Sequence, residues 1–222
     1  MSTSSAALTR RRVLIVDDHP VVRQGLALVI GREPDLEVCG EAEHISDAMR
    51  LVEGAHPDVV IVDLSLDGDD GIELIDYIKS RWPSVKILVY SSHDEETFAG
   101  RVLRAGALGY VSKREAMPRI VTAIRQILGD EVYLSPKMTT SLLQRAAVGK
   151  SLDQNPTEAL SNRELQVFEM IGQGLNTVEI AQKLQVSPKT IESHRKVIKT
   201  KLNVQTSNQL SRRAFQWVQE NS

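Results

Sequence analysis

The first half of the chain alternates short aliphatic runs with amphipathic stretches. Val13–Val16, Val59–Val62 and Ile87–Tyr90 are rich in β-branched residues and lack polar alternation. That is the pattern of strands buried on both faces, as in a parallel sheet covered by helices. Glu37–Ala42 and Leu108–Ser112 give weaker strand signals. Between them the spacing predicts helices over residues 20–31, 44–54, 70–81, 94–105 and 115–129. Pro57 and Pro83 punctuate two joins from helix to strand, and Gly106 and Gly109 break the chain before the fifth strand. Five strands alternating with five helices imply an α/β fold with a doubly wound five-stranded parallel sheet.

The second half reads differently. Pro136–Ala147 is amphipathic and predicts a helix, which leads into the polar, non-periodic stretch VGKSLDQNPTEAL at 148–160. From Leu160 onward the pattern is wholly helical. Ser161 and Glu164 form a capping box whose helix closes near Gly172–Gly174, and Asn176 opens a short helix ending near Leu184. Ser187-Pro188 opens a third helix to about Leu202, and Thr206 or Ser207 caps a fourth. Short helices joined by tight turns predict a small all-α helix-turn-helix domain. The expected division is a disordered tail over 1–12, an α/β domain over 13–130, a linker with a helix over 131–156 and the helical domain over 157–222.

Composition narrows the class. With 41% hydrophobic and 25% charged residues the chain is globular and not disordered or fibrous, and at 4% aromatic its cores must be aliphatic. No run approaches the length of a membrane span, and MSTSSAALTRRR lacks the apolar segment of a signal peptide. The single cysteine, Cys39, is expected as a small core residue in a reducing cytoplasm. The net charge of −2 hides an asymmetry. Residues 1–155 hold 18 Lys+Arg against 23 Asp+Glu, and residues 156–222 hold 9 against 6, giving −5 and +3. An acidic half joined to a basic half implies a sensing or catalytic module followed by a nucleic-acid module.

Candidate chemistry collects at the strand ends: Asp17-Asp18, Asp63, Ser91 and Ser112-Lys113. In a doubly wound sheet these ends meet at one site. Three carboxylates within ~6 Å repel by roughly 2–3 kcal/mol per pair at an effective dielectric near 20 and need a cation. A hard divalent ion such as magnesium fits, holding an incoming phosphoryl group in line with one carboxylate. Lys113 can pair with the added oxygens and the Ser91 hydroxyl can donate to them. The stretch IVDLSLDGDDG also approaches a calcium loop, but the twelfth position from Asp63 is Leu74 where a bidentate Glu belongs. An aspartyl-phosphatase would want a carboxylate at Ser65.

In the third C-terminal helix, angles of 100° per residue place Ile191, Ile198 and Leu202 on a buried stripe. Lys189, Glu192, Ser193, Lys196, Lys199 and Thr200 lie opposite, with Thr190 near the N-terminus. This mix suits a recognition helix in a major groove, lysines on phosphates and N-terminal residues on base edges. Glu192 could accept from a cytosine amine or orient a lysine. His194 is expected to be packed.

The motifs VLIVDDHP, VVIVDLSLDGDDG, ILVYSSHD and GYVSK, in that order, resemble the receiver domain of two-component response regulators. The stretch LSNRELQVFEMIGQGLNTVEIAQKLQVSPKTIESHRKVIKTKLNV looks like the LuxR-type helix-turn-helix domain, and the pair resembles the NarL/FixJ family. The resemblance implies a CheY-like receiver in which Asp63 accepts a phosphoryl group from a sensor histidine kinase. Asp17, Asp18, Asp63 and the Ser65 backbone carbonyl would hold Mg2+, Lys113 the phosphate, and Ser91 and Tyr110 the switch. Tyr110 could also be a plain packed residue. Asp67 stands where family members often carry Pro. The last helix, with Leu210, Ala214, Trp217 and Val218 on one face, would pair DNA-binding domains, or that face could simply pack within its own domain. The implied function is a cytoplasmic, phosphorylation-controlled transcription regulator. It would bind double-stranded DNA, form a homodimer when phosphorylated, and catalyse nothing beyond its own phosphorylation and dephosphorylation. The alternative is a DNA-binding regulator whose receiver is a phosphorylation-independent dimerisation module.

Overall fold

Each aliphatic run becomes a strand. The computed structural model describes residues 10–66, 69–147 and 156–220, and its two compact units divide between Met138 and Thr139. The first unit comprises β1 (Arg11–Val16), α1 (Pro20–Ile30), β2 (Leu36–Ala42), α2 (Ile45–Ala55), β3 (Val59–Val62), β4 (Ser65–Leu66), β5 (Asp69–Asp70), α3 (Gly71–Arg81), β6 (Lys86–Ser91), α4 (Glu95–Arg104), β7 (Gly109–Ser112) and α5 (Pro118–Leu128). Five strands pair in parallel in the order β2-β1-β3-β6-β7. The chain steps outward from β1 to β2 and then crosses to β3, so the strand order reverses between β1 and β3. Beyond their carboxyl ends lies the crevice where such sheets bind ligands. Register does the rest. Val16 faces Val62, Val62 faces Val89, and Ser91 faces Ser112, which brings the residues that follow each strand to one edge. The Asp63 N–H continues the ladder to the Val16 carbonyl at 2.9 Å.

The core is aliphatic, with Leu14, Ile15, Leu26, Leu88 and Ile124 fully buried. Differences from the expected boundaries have local causes. β1 begins at Arg11, within the stretch read as tail, because Arg11 and Arg12 pair with Leu36 and Glu37. The Asp58 carboxylate accepts from the Arg12 N–H at 2.8 Å and from the Arg11 guanidinium at 2.9 Å. Residues 1–9 lie outside the described residues. α5 begins at Pro118 and not near residue 115. Proline suits a first helical position, where its missing N–H leaves no donor unmet. The β4–β5 hairpin was not anticipated; Ser65 pairs with Asp70 and Leu66 with Asp69. Asp70 then caps α3, its side chain accepting from the Ile72 N–H at 2.9 Å.

After α5 the chain lies along the outer edge of β7. The Tyr133 N–H donates to the Leu108 carbonyl, and the Tyr110 N–H donates to the Tyr133 carbonyl, each at 2.9 Å. α6 (Pro136–Ala147) follows, and the division between the units falls inside it. Ser135 anchors its start, its hydroxyl accepting from the Met138 N–H and its own N–H donating to Glu95. Lys137 pairs with Glu96 at 2.5 Å.

The second unit holds a 3-10 turn (Pro156–Ala159), then α7 (Asn162–Gly172), α8 (Thr177–Lys183), α9 (Pro188–Lys201) and α10 (Ser207–Glu220). The turn and the buried Leu160 give structure to the end of the stretch read as polar linker. Both α7 and α8 carry complete capping boxes, Ser161 with Glu164 and Asn176 with Glu179. Ser187 caps α9 ahead of Pro188. Ile191, Ile198 and Leu202 form the buried stripe of α9.

Of the two readings left open for the apolar face of α10, packing within its own domain is the one seen in the single chain. Leu210 and Ala214 are fully buried and Trp217 is nearly so, its ring 5.8 Å from that of Phe168 on α7. Gly172 lets the two helices close. A Cβ there would stand 2.4 Å from the Ala214 carbonyl oxygen and 2.5 Å from a Val218 methyl. The apolar face read either as a joint between two copies or as packing within its own domain thus lies on α7. An apolar stripe buries itself on the nearest apolar neighbour, and α7 supplies one.

Candidate functional site

Asp17, Asp63 and Ser91 are buried at the carboxyl edge of the sheet, at 1%, 3% and 0% exposure. Lys113, which follows β7, is brought to the same place because its N–H donates to the Ser91 carbonyl at 2.8 Å. Its ammonium lies 2.6 Å from Asp63 Oδ2 and 2.7 Å from Asp17 Oδ2. Burial pushes the Asp17 carboxyl above its ordinary value and the charge of Asp63 pushes it further, with Lys113 offsetting only part. Burial alone would pull the Lys113 ammonium down, but Asp63 and Asp17 more than reverse this and hold it above the usual lysine range. One cation thus serves two buried carboxylates, with Asp18 half-buried beside them.

That arrangement is short of positive charge. Asp63 Oδ1 is buried and has no hydrogen-bond partner. Asp17, Asp18, His19 and Asp63 each offer a ligand atom, all within 4.8 Å of one another. A buried orphan oxygen in a set of carboxylates fits a small hard cation of the magnesium type. His19 was not anticipated. Its Nδ1 lies 2.5 Å from Asp18 Oδ1, and its N–H donates to Asp17 Oδ1 at 2.9 Å. Imidazole is a softer donor than a hard cation favours, so His19 reads as a partner of the carboxylates and not as a ligand.

Around the pocket lie the groups expected to respond to it. Tyr110 is buried, and its hydroxyl donates to the His93 carbonyl at 2.7 Å. Burial pushes its phenol well above the ordinary value. The Ser91 hydroxyl accepts from the His93 N–H at 3.4 Å. Ser65, expected to act through its backbone carbonyl, has its hydroxyl 2.9 Å from His93 Nε2. His93 therefore ties the segment after β3 to the segment after β6, which periodicity could not show. Gly71 was also missed. A Cβ there would stand 2.2 Å from the Asp63 carbonyl oxygen, so only glycine lets α3 begin this close to Asp63. Of the other acidic residues in the loop, Asp70 is a helix cap, Asp69 contributes backbone pairing, and Asp67 lies outside the described residues.

The second candidate surface is on α9. Lys189, Thr190, Glu192, Ser193 and Lys196 are exposed and Lys199 partly so. Together with Arg195, which sequence reading omitted, and Ser207 of α10, they line a shallow concavity, Thr190 excepted. The hydroxyls of Thr190 and Ser193 bond within the helix, to Ser187 and to the Lys189 carbonyl. Glu192 Oε1 accepts from the Thr177 hydroxyl of α8 at 2.8 Å. His194 is half-buried as expected, and burial together with Arg163 pulls its pKa below the ordinary value.

Comparison with known proteins agrees with this geometry. Residues 13–125 match the family described as response regulator receiver domain, and residues 158–214 match bacterial regulatory proteins of the luxR family. The chain is 36% identical over 204 residues to the oxygen regulatory protein NreC of Staphylococcus carnosus (strain TM300), covering 90% of this chain and 94% of that one. Its structure is similar to the RcsB response regulator of Salmonella typhimurium at 29% identity, covering 94% of this chain and 98% of that one, with a TM-score of 0.62. A LuxR-family two-component response regulator from Aurantimonas sp. SI85-9A1 is 34% identical over 63% of this chain and 99% of that one, with a TM-score of 0.58.

Proposed function

The chain belongs to the two-component response regulators that join a receiver domain to a LuxR-type DNA-binding domain, and from that premise we propose that phosphorylation of Asp63 by a sensor histidine kinase controls promoter binding through α9. The observation that carries this reading is the orphan Asp63 Oδ1, buried in a pocket whose one ammonium already holds Oδ2. A carboxylate with one oxygen open to a cation and the other on an ammonium that can move away is able to attack phosphorus. In that step an O–P bond forms on Asp63 and the P–N bond to the kinase histidine breaks, returning the imidazole. Asp17, Asp18, Asp63 and the Ser65 carbonyl would hold Mg2+, which supplies charge neutralisation for the transfer. Lys113 keeps its charge in the pocket and can shift from Asp63 Oδ2 to a phosphoryl oxygen.

Phosphorylation adds about −1.5 to −2 charges at pH 7. Ser91 can answer it by donating to a phosphoryl oxygen, which would withdraw its hydroxyl from the His93 N–H. Tyr110 holds the same residue by its carbonyl, so both switch groups bear on His93. A signal reaches the second unit only by favouring one of two arrangements, and this segment is where they would differ.

RcsB dimers have been described on DNA, and RcsB on a promoter in the presence of phosphomimetic BeF3−. We extend both properties to this chain: a homodimer on double-stranded DNA, joined through surfaces other than the buried face of α10. Among the described residues no helix is long and apolar enough to cross a membrane. A DNA-binding regulator of this type would act in the cytoplasm and turn over no substrate but its own phosphoryl group. The test is incubation with Mg2+ and a small-molecule phosphodonor. We expect a mass gain of about 80 Da, one phosphoryl group, abolished in Asp63→Asn. A wild-type chain that gains no mass would refute the phospho-switch and leave the receiver a structural module.

A further inference from the structure

Glu192 is the one carboxylate on α9, set among Lys189, Arg195, Lys196 and Lys199. Resting on the DNA-binding reading above, that position raises a question of sign. A carboxylate facing a polyanion opposes binding unless it meets a donor. It could be neutralised on its own helix, since Lys189, Arg195 and Lys196 lie within one turn of it, at i−3, i+3 and i+4. That is not what the side chain does. Among the described residues it makes no ion pair, and its partner is the Thr177 hydroxyl at the start of α8, 2.8 Å from Oε1. Thr177 is held in turn by the Asn176–Glu179 capping box at that helix end. The carboxylate is thus fixed by a neighbouring helix, one oxygen engaged and one left to accept.

The geometry points to Glu192 as the residue that selects cytosine, with Thr177 as its positioning residue. Base edges in the major groove offer two amine donors, cytosine N4 and adenine N6. The adenine amine stands beside the N7 acceptor, which repels a carboxylate and suits an amide, whereas Glu accepts from cytosine N4. The charge sets no preference along the backbone. It penalises every site where the amine is missing, because there the carboxylate is desolvated against thymine O4 or guanine O6 and N7.

The experiment is binding-site selection from a randomised duplex pool with the full, phosphorylated chain, followed by titration of the selected duplex at several salt concentrations. Wild type should enrich a C·G pair at one position and discriminate against its replacement by roughly tenfold or more. Glu192→Ala should lose the preference at that position alone, and Glu192→Gln should move it to A·T, since Gln pairs with adenine. Thr177→Val, which keeps the charge of Glu192, should weaken the preference with the salt slope unchanged, and Thr177→Ser should restore it. If all four variants select the wild-type bases, Glu192 reads nothing and the proposal fails while DNA binding stands. A wild-type chain that binds no duplex at any salt concentration removes the DNA-binding reading and this inference with it. Thermal melts of each variant separate loss of preference from loss of fold.

Discussion

At the scale of single residues the acidic pocket is held against its own stability. Ionising Asp17 in the fold is harder than in the unfolded chain, because burial and then Asp63 raise its pKa above the ordinary 3.8. The sign follows. Stability withheld at neutral pH returns as the pH falls through the raised value and is fully present below 3.8. Asp17→Asn should therefore raise Tm at pH 7, measured in chelator, by a few degrees for a gain on the order of 1 kcal/mol. The gain should shrink on acidification, and an equal gain at every pH would contradict the electrostatic cause. In this pocket Asp17, Asp63, Ser91 and Lys113 were legible in the sequence, because each ends or follows an aliphatic run and parallel register does the rest. His93 and Gly71 were not, and neither was Thr177 beside Glu192 in the second unit. Their roles depend on side chains or backbone meeting between separate elements, and no period records that.

At the scale of elements, close approach decides the second unit. Gly172 has no room for a Cβ, since Ala214 and Val218 occupy the space. Gly172→Ala should force α7 and α10 apart and destabilise this unit by about 1–3 kcal/mol, the usual cost of overpacking. A denaturant melt of the second unit, followed by Trp217 fluorescence, reads the change, and an unchanged midpoint would mean that the helices separate freely. The apolar stripe of α10 was plain in the sequence, but a stripe states that a face is covered and not by what. Helix ends were more legible. Ser161, Asn176 and Ser187 each accept from a backbone N–H two or three residues on, as capping chemistry requires. The β4–β5 hairpin was hidden because two residues per strand carry no alternation.

At the scale of the whole molecule the charge division matters most. The −5 of residues 1–155 and the +3 of residues 156–222 put the balance that suits a polyanion on the C-terminal helices. Lys196→Ala should weaken binding to all duplex sequences alike and reduce the salt slope by about 1, read by titration over a salt series. An altered base preference with an unaltered slope would mean that Lys196 reads bases. The first unit carries a further consequence in the pairing of Tyr133 with the edge of β7. An open parallel sheet ends in two rows of unmet N–H and C=O groups, and such rows recruit other chains. On the β7 side, Tyr133 covers part of that row, a guard rail made from the segment that leads away to the second unit. A chain truncated after Asp130 lacks that rail and should self-associate edge to edge, so that colloidal behaviour reports whether the segment is in place.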